Sequence, residues 1–252
     1  MPSLVVPATY VEQATPRAAI VRLVVPEGEF VFRPGQAVTL GRHGQPSSKP
    51  YSIASAPDDV RRTGELEFLV GTGEDGRFDA HLAGLAAGGL VDLQGPLGSF
   101  GLPDEPCPRR VVFVAGGTGI APLRSMWRHL GATRPDVERE VLYSARTRAH
   151  FAYEDELEEL EAAGRLRLVL TTTREPAQPR AEGPGGQALR GIRLRPGSPV
   201  LSGRIGANQL QASAGRGPAV YALCGPPAFV AHVERLLGDL GVAQESIRKE
   251  GW

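Results

Sequence analysis

The chain has 252 residues, enough for one large domain or two of ordinary size with a sizeable buried core. Its 28 basic and 28 acidic side chains cancel, so no global field recruits nucleic acid or an anionic membrane, and an electrostatic partner site has to be a local patch. The two cysteines, Cys107 and Cys224, exclude a disulfide framework, a four-cysteine zinc site and a cysteine-ligated iron–sulfur cluster within the chain.

The longest apolar runs, VVFVA and VLTTT, are far short of a bilayer span, and MPSLVVPATY has neither the charged nor the apolar region of a signal peptide. A soluble cytoplasmic protein is expected. The first hundred residues read as strands. Ala18 to Val25 is β-branched, Glu65 to Val70 alternates with Leu66, Phe68 and Val70 on one face, and Leu90 to Leu93 is a further short strand. Punctuated by Pro26, Pro34-Gly35 and Pro57, they predict a small antiparallel barrel. One helix is predicted inside it, Asp79 to Ala86, capped by Asp79, with Leu82 and Leu85 on one face.

After the proline-rich joint Pro103 to Pro108 the pattern changes to strands alternating with helices. Val111 to Ala115 is followed by a helix over Pro122 to Leu130, Val141 to Ala145 by one over Glu154 to Ala162, then come the strands Leu166 to Thr172 and Val220 to Cys224 and a helix over Pro227 to Leu240. Such alternation builds a parallel sheet with its ligand crevice at the strand C-termini. The predicted division is a barrel domain over 1–103 and an α/β domain over 104–252. Arg174 to Pro199, rich in Pro, Gly and Arg without periodicity, reads as a long loop.

Four segments carry candidate chemistry. VVFVAGGTGIAP, Val111 to Pro122, runs from a buried strand through Gly116, Gly117 and Gly119 into a helix, so backbone amides and the helix dipole are offered to a phosphate; a plain tight turn is the alternative. KPYSIASAP, Lys49 to Pro57, sets a cation, an aromatic and a hydroxyl together, either as an ordinary strand or as a frame for a planar, phosphate-bearing ligand. GPLGSFG, Gly95 to Gly101, is a Gly-Pro turn, and LCGPP, Leu223 to Pro227, ends a strand in a cysteine and a glycine. The five histidines show no ligand spacing, and no metal is assigned.

These four blocks, in this order and at these separations, resemble the ferredoxin–NADP(H) reductase superfamily of flavoenzymes over nearly the whole chain. The resemblance implies an antiparallel flavin-binding β-barrel followed by a parallel-sheet pyridine-nucleotide-binding domain. It implies FAD as the flavin, with FMN or a weakly held flavin as the alternative, and NADPH in preference to NADH as the reductant. Tyr51 would stack on the flavin ring, Ser52 would hydrogen-bond its hydride-accepting nitrogen, and Lys49, beside Pro50, would hold flavin phosphate. Gly76, Arg77, Phe78 and Asp79 would border the flavin pyrophosphate. Two residues depart from the family pattern: Lys49 stands for an arginine, in a chain with only two lysines, and Asp79 for a serine or threonine. Arg77 is the expected compensation. Gly117, Thr118 and Gly119, with Pro122 in the helix's first turn, would hold the nucleotide pyrophosphate. Thr173, Arg174 and Arg146 would meet the 2′-phosphate, and Cys224 with Gly225 the nicotinamide. Glu250 would be the near-terminal acid, and Trp252 an aromatic lid over the flavin or a pin on its adenine. Ser52, Cys224 and Glu250 form the expected catalytic set. The resemblance implies a flavoprotein reductase serving a separate acceptor protein: a ferredoxin, an oxygenase component or a cytochrome. An NAD(P)H:flavin or ferric reductase, and a non-catalytic nucleotide-binding subunit, are the alternative readings.

Overall fold

The computed structural model describes residues 3–73, 75–103, 108–175 and 200–251. The first half holds β1 (Ser3–Thr15), β2 (Ala18–Val24), β3 (Ala37–Arg42), β4 (Lys49–Ser52), α1 (Pro57–Thr63), β5 (Glu65–Gly71) and β6 (Leu90–Leu97). The strands pair antiparallel in the order β4-β3-β6-β1-β2-β5. The two ends of that row meet: Ile53 bridges Phe68, and the Ala54 amide donates to the Glu67 carbonyl at 2.7 Å, which closes the barrel and removes the free edge. Alternate residues, among them Val21, Leu23, Val38, Leu40, Leu66, Phe68, Val91 and Leu93, fill its interior.

Strand β5 departs from the simple alternation because both of its faces are covered. Leu66, Phe68 and Val70 enter the barrel core, whereas Leu69 joins the core of the second half of the molecule. The helix expected over Asp79 to Ala86 is not formed. Only one 3-10 turn, Ala80–Leu82, is present, and Asp79 makes no cap bond because its carboxylate is engaged by Lys49; Gly84, at φ 70°, then turns the chain away.

The second half holds β7 (Arg110–Gly116), α2 (Ile120–Thr133), β8 (Glu138–Ala145), α3 (Glu154–Ala162), β9 (Arg167–Thr172), β10 (Val200–Ser202), α4 (Ala207–Ala214), β11 (Val220–Gly225), α5 (Pro227–Asp239) and β12 (Ile247–Gly251). Its sheet is parallel, in the order β10-β9-β8-β7-β11-β12. β7 is buried along its whole length, which is why it reads as an unbroken apolar run. Trp127 of α2 and Leu157 of α3 pack on Phe113 and Tyr143 on one face; Leu210 of α4 and Val233 and Leu237 of α5 pack on Leu142 and Leu223 on the other. Among the described residues no helix is long and apolar enough to cross a membrane. Of the expected loop Arg174 to Pro199, only Arg174 and Glu175 lie within the described residues, and Trp252 lies outside them.

The two halves share one core. Ala18, Ala54, Leu69 and Phe100 of the barrel pack with Phe113, Met126 and Trp127. Polar contacts surround that seam. Arg124 of α2 donates to Glu67 Oε1 at 2.9 Å, to the Ala54 carbonyl at 3.1 Å and to Glu156 of α3 at 2.8 Å, and its guanidinium lies 4.2 Å from the Tyr153 ring centroid. Ser125 donates to the Ser55 carbonyl at 2.7 Å. Arg128 reaches both oxygens of Asp59 on α1, at 2.6 and 2.8 Å, and Glu156 at 2.9 Å.

Candidate functional site

In the parallel sheet β7 lies between β8 and β11, and the chain reaches β11 only after building the β8-β9-β10 side. The crevice beyond the C-termini of β7 and β11 is therefore the topological switch point, where open α/β sheets bind ligands. Two glycine-bearing strand ends meet there. A Cβ on Gly119 would fall 2.4 Å from the carbonyl carbon and oxygen of Cys224, and one on Gly225 would fall 3.0 Å from the Gly116 Cα, so neither position accepts a side chain without moving backbone. Gly117, at φ 57°, faces open space and starts the 3-10 turn Gly117–Gly119 that leads into α2. Thr118 lies within that turn. Pro122 sits in the first turn of α2, where a missing N–H breaks no helical bond. The residues present fit a nucleotide phosphate: a glycine-walled turn, room in front of it and a helix behind it.

A cavity of about 220 Å³ opens from this turn. It is lined by Gly116, Gly117, Thr118, Arg146 and His150 from the sheet half and by Arg17 from the barrel. The backbones of β8 and β9 run on beside it: the Thr173 amide donates to the Ala145 carbonyl at 3.0 Å and the Arg174 amide to the Arg146 carbonyl at 2.9 Å. Burial, and then the positive charges of Arg146, Arg17 and Arg174 against the opposing charge of Glu175, hold the His150 pKa below its ordinary value. Arg17 was not legible in the sequence, because it lies some 130 residues from Arg146 on the turn between β1 and β2 and only the domain packing brings it here.

The flavin-type segment is β4. Tyr51 is half-buried, and its hydroxyl shares a hydrogen bond with His81 Nε2 at 2.7 Å while the two rings stack at 5.7 Å and 17°. Burial and the charge of Asp79 push the Tyr51 phenol up to about 12, and burial together with Lys49 lowers the His81 pKa, so the bond joins a neutral phenol to a neutral imidazole. His81 belongs to no recognisable motif, yet it is 2% exposed and anchors the ring. Ser52 is buried and pairs with Ala37 of β3, while Pro50 pairs with Thr39 and is exposed. Lys49 Nζ donates to Asp79 Oδ2 at 2.5 Å, with both side chains more than half exposed, and this bond holds the Asp79 carboxyl below its usual range. Arg77 is 86% exposed, and its Nε lies 3.7 Å from the Asp75 carboxylate. Gly76 and Phe78 border a separate hollow of about 460 Å³ against β1. These residues fit the ring portion of a flavin, with an aromatic face beside a buried hydroxyl, and offer a self-neutralised ion pair at the phosphate end.

The end of β4 is tied to the segment after β6. The Ile53 amide donates to the Gln36 carbonyl at 3.0 Å, and Gln36 Nε2 donates to the Gly98 carbonyl at 2.9 Å. A Cβ on Gly98 would lie 3.8 Å from Glu250 Oε1. Glu250 stands opposite Cys224 in the β11–β12 register, and one of its carboxylate oxygens is shut off from solvent. Cys224 is fully buried. Of the expected catalytic set, Cys224 and Glu250 are therefore sheet neighbours, whereas Ser52 lies on β4 of the barrel, paired with Ala37.

Residues 8–101 match the family described as an oxidoreductase FAD-binding domain, and residues 113–189 the oxidoreductase NAD-binding domain. The chain is 33% identical over 226 residues to ferredoxin–NADP reductase B of Sorangium cellulosum, covering 88% of this chain and 85% of that protein. It is 41% identical over 130 residues to methane monooxygenase component C of Methylosinus trichosporium, a match to 51% of this chain and 37% of that protein; the chain thus spans well under half of that relative. A crystal structure of a ferredoxin NADP+ reductase from Neisseria gonorrhoeae, with bound FAD and NADP, superposes with a TM-score of 0.73 at 22% identity, covering 100% of this chain and 99% of that one. With both domain models matched and one relative covered almost end to end, the chain belongs to the ferredoxin–NADP reductase superfamily.

Proposed function

We propose that this protein is a reductase that takes hydride from NADPH or NADH onto FAD and delivers single electrons to a separate acceptor protein such as a ferredoxin or an oxygenase component. The observation that carries the reading is the close approach of Gly119 to the Cys224 backbone at the mouth of a cavity walled by both domains, because it lets a nucleotide lie across the seam toward β4. The chemistry supplied by bound flavin is acceptance of a hydride and release of its electrons one at a time. The chain supplies binding and orientation. The Gly117–Gly119 amides hold the nucleotide phosphates, and Arg17, Arg146 and Arg174 supply the charge that favours a 2′-phosphate. Tyr51, anchored by His81, presents a ring face. Ser52 offers a hydroxyl to the reacting ring, and Glu250 a carboxylate that holds or moves a proton at its Oε1. Cys224 closes the back of the crevice. Catalysis on this reading is mostly orientation of two cofactors.

The acceptor docks at the cleft of about 820 Å³ beside Gly98, whose described lining includes Arg33 and Arg248 together with Arg61 and Arg134, which are paired with Asp58 and Asp136; this predominantly basic rim suits an acidic partner. A cytoplasmic location belongs to the same proposal, since that is where reduced pyridine nucleotide is supplied. The Lys49–Asp79 pair favours one variant of the reading, in which flavin is held loosely enough to exchange.

The deciding experiment is the absorption spectrum of the purified protein with and without added FAD, followed by anaerobic addition of NADPH or NADH. Flavin absorbance that stays with the protein through gel filtration and bleaches within turnover time supports the proposal. A protein that cannot be reconstituted with FAD, or whose bound flavin is not bleached by either nucleotide, overturns it.

A further inference from the structure

At the opposite end of the parallel sheet from the nucleotide crevice, a groove of about 1150 Å³ runs between α2 and α3, past the first residues of β8 and β9. Most of the carboxylates on its rim are already matched. Asp59 holds Arg128, Glu138 holds Arg216, and Glu156 holds Arg124 and Arg128. Arg139 is different. It lines the groove, is 8% exposed, and makes one long hydrogen bond, from Nη1 to the Trp127 carbonyl at 3.4 Å. Its Nε is buried with no hydrogen-bond partner, and no carboxylate among the described residues lies within ion-pair distance of it.

The neighbouring charge has the same sign. Arg165, exposed on the turn after α3, lines the same groove, and with burial it pulls the Arg139 pKa down. A buried guanidinium without a counter-charge carries a large desolvation cost, and a second guanidinium beside it adds repulsion. The fold nonetheless makes room for this arrangement. Gly131 lies inside α2 where a Cβ would fall 2.5 Å from Arg139 Nη1, and an interior helical glycine is less stable than alanine. Two converging guanidiniums, one of them buried and lacking an acceptor, are completed by an oxyanion, whose lone pairs match the donor fork.

We propose that Arg139 and Arg165 bind a small phosphate-type oxyanion, free or carried on a metabolite, in the groove between α2 and α3. The site is independent of the nucleotide crevice and of the proposed reaction. Thermal unfolding of the full chain is followed while inorganic phosphate replaces chloride at constant ionic strength, for the wild type and for Arg165→Ala, Gly131→Ala and Arg146→Ala. Gly131→Ala keeps the helix and only displaces the tip of a flexible side chain. The wild type and Arg146→Ala should show a saturable rise in Tm with phosphate, and Arg165→Ala and Gly131→Ala should need roughly tenfold more phosphate for the same rise, the scale of one lost charge-assisted bond. Repetition with glycerol phosphate separates the sources. Tighter binding of the ester assigns the site to a carried phosphate, and equal or weaker binding assigns it to the free ion. The proposal is overturned if chloride and phosphate act alike, if Arg165→Ala and Gly131→Ala respond like the wild type, or if only Arg146→Ala loses the response, which would put the phosphate in the nucleotide crevice.

Discussion

Replacing Asp59 by asparagine tests how firmly the two domains are clamped. Asp59 on α1 receives both nitrogens of Arg128 on α2, at 2.6 and 2.8 Å, and the Ala56 amide at 3.0 Å. Burial alone would raise its pKa, but the hydrogen bonds from Arg128 and Ala56 prevail and hold it at about 2, against an ordinary value of 3.8. A lowered carboxyl pKa stabilises the fold above the unfolded-state value, and that stability is lost as pH falls toward the folded-state value. The difference corresponds to about 2.4 kcal/mol at pH 7. The two side chains are 18% and 29% exposed, so solvent screening brings the expected loss in Asp59→Asn to about 1.5 kcal/mol. About half of that difference should remain at pH 3 and about a sixth at pH 2. Urea unfolding of both proteins at pH 7, 5 and 3 measures it, with the slope m checked for constancy. A difference that stays the same from pH 7 to pH 3 would refute the argument, because it would mean that the loss is one of packing or helix capping and not of the ionised pair.

Gly119→Ala should lower stability by about 1–3 kcal/mol and abolish pyridine-nucleotide binding, since its Cβ lands 2.4 Å from immovable Cys224 backbone; calorimetric titration with NADP+ on the folded variant reads the second effect, and unchanged affinity would separate the turn from the nucleotide. Arg174→Ala should reduce kcat/KM for NADPH by about 10- to 150-fold and leave NADH nearly untouched, the value of one charged hydrogen bond to a 2′-phosphate; equal losses with both nucleotides would remove Arg174 from that role. Lys49→Arg should tighten FAD retention by about 0.5–1.5 kcal/mol by restoring a planar fork, and Asp79→Ser should act in the same direction by freeing the cation now held at 2.5 Å; fluorescence titration of apoprotein decides, and weaker binding in both would show that the pair itself contacts flavin.

The contrast between a strand-rich half and a strand–helix half was legible because the hydrophobic period changes from two to alternating buried runs and amphipathic stretches, while the expected boundary at 104 falls within residues 104–107, outside the described residues. α3 is found over the predicted residues, Glu154–Ala162, with Leu157 buried on its one apolar face. The glycine turn after β7 was legible as well, since glycines directly after a buried apolar run mark where the strand breaks into a tight turn before α2. Local sequence also marked Lys49 and Asp79 as unusual, but not that they would bond to each other. It wrongly credited Asp79 with capping a helix, because a carboxylate's choice between a backbone amide and a lysine thirty residues away depends on which one the fold brings near.

Everything that joins the halves was decided by tertiary structure alone. Arg124, Arg128, Asp59 and Glu67 look like four more charges in a sequence rich in them, and no local period distinguishes a guanidinium that crosses a domain seam from one in water. The same holds for His81 under Tyr51, for Arg17 beside Arg146 and for the buried Arg139. Sequence by itself determined the class of each half and many of the elements, because backbone propensity and burial pattern act over a few residues, but it did not mark β1, β3 or α4 and it overextended the turn at Ala80–Leu82 into a helix. Packing of elements distant along the chain determined which charges lost their water, and desolvation is what turns an ordinary side chain into one with a specific partner.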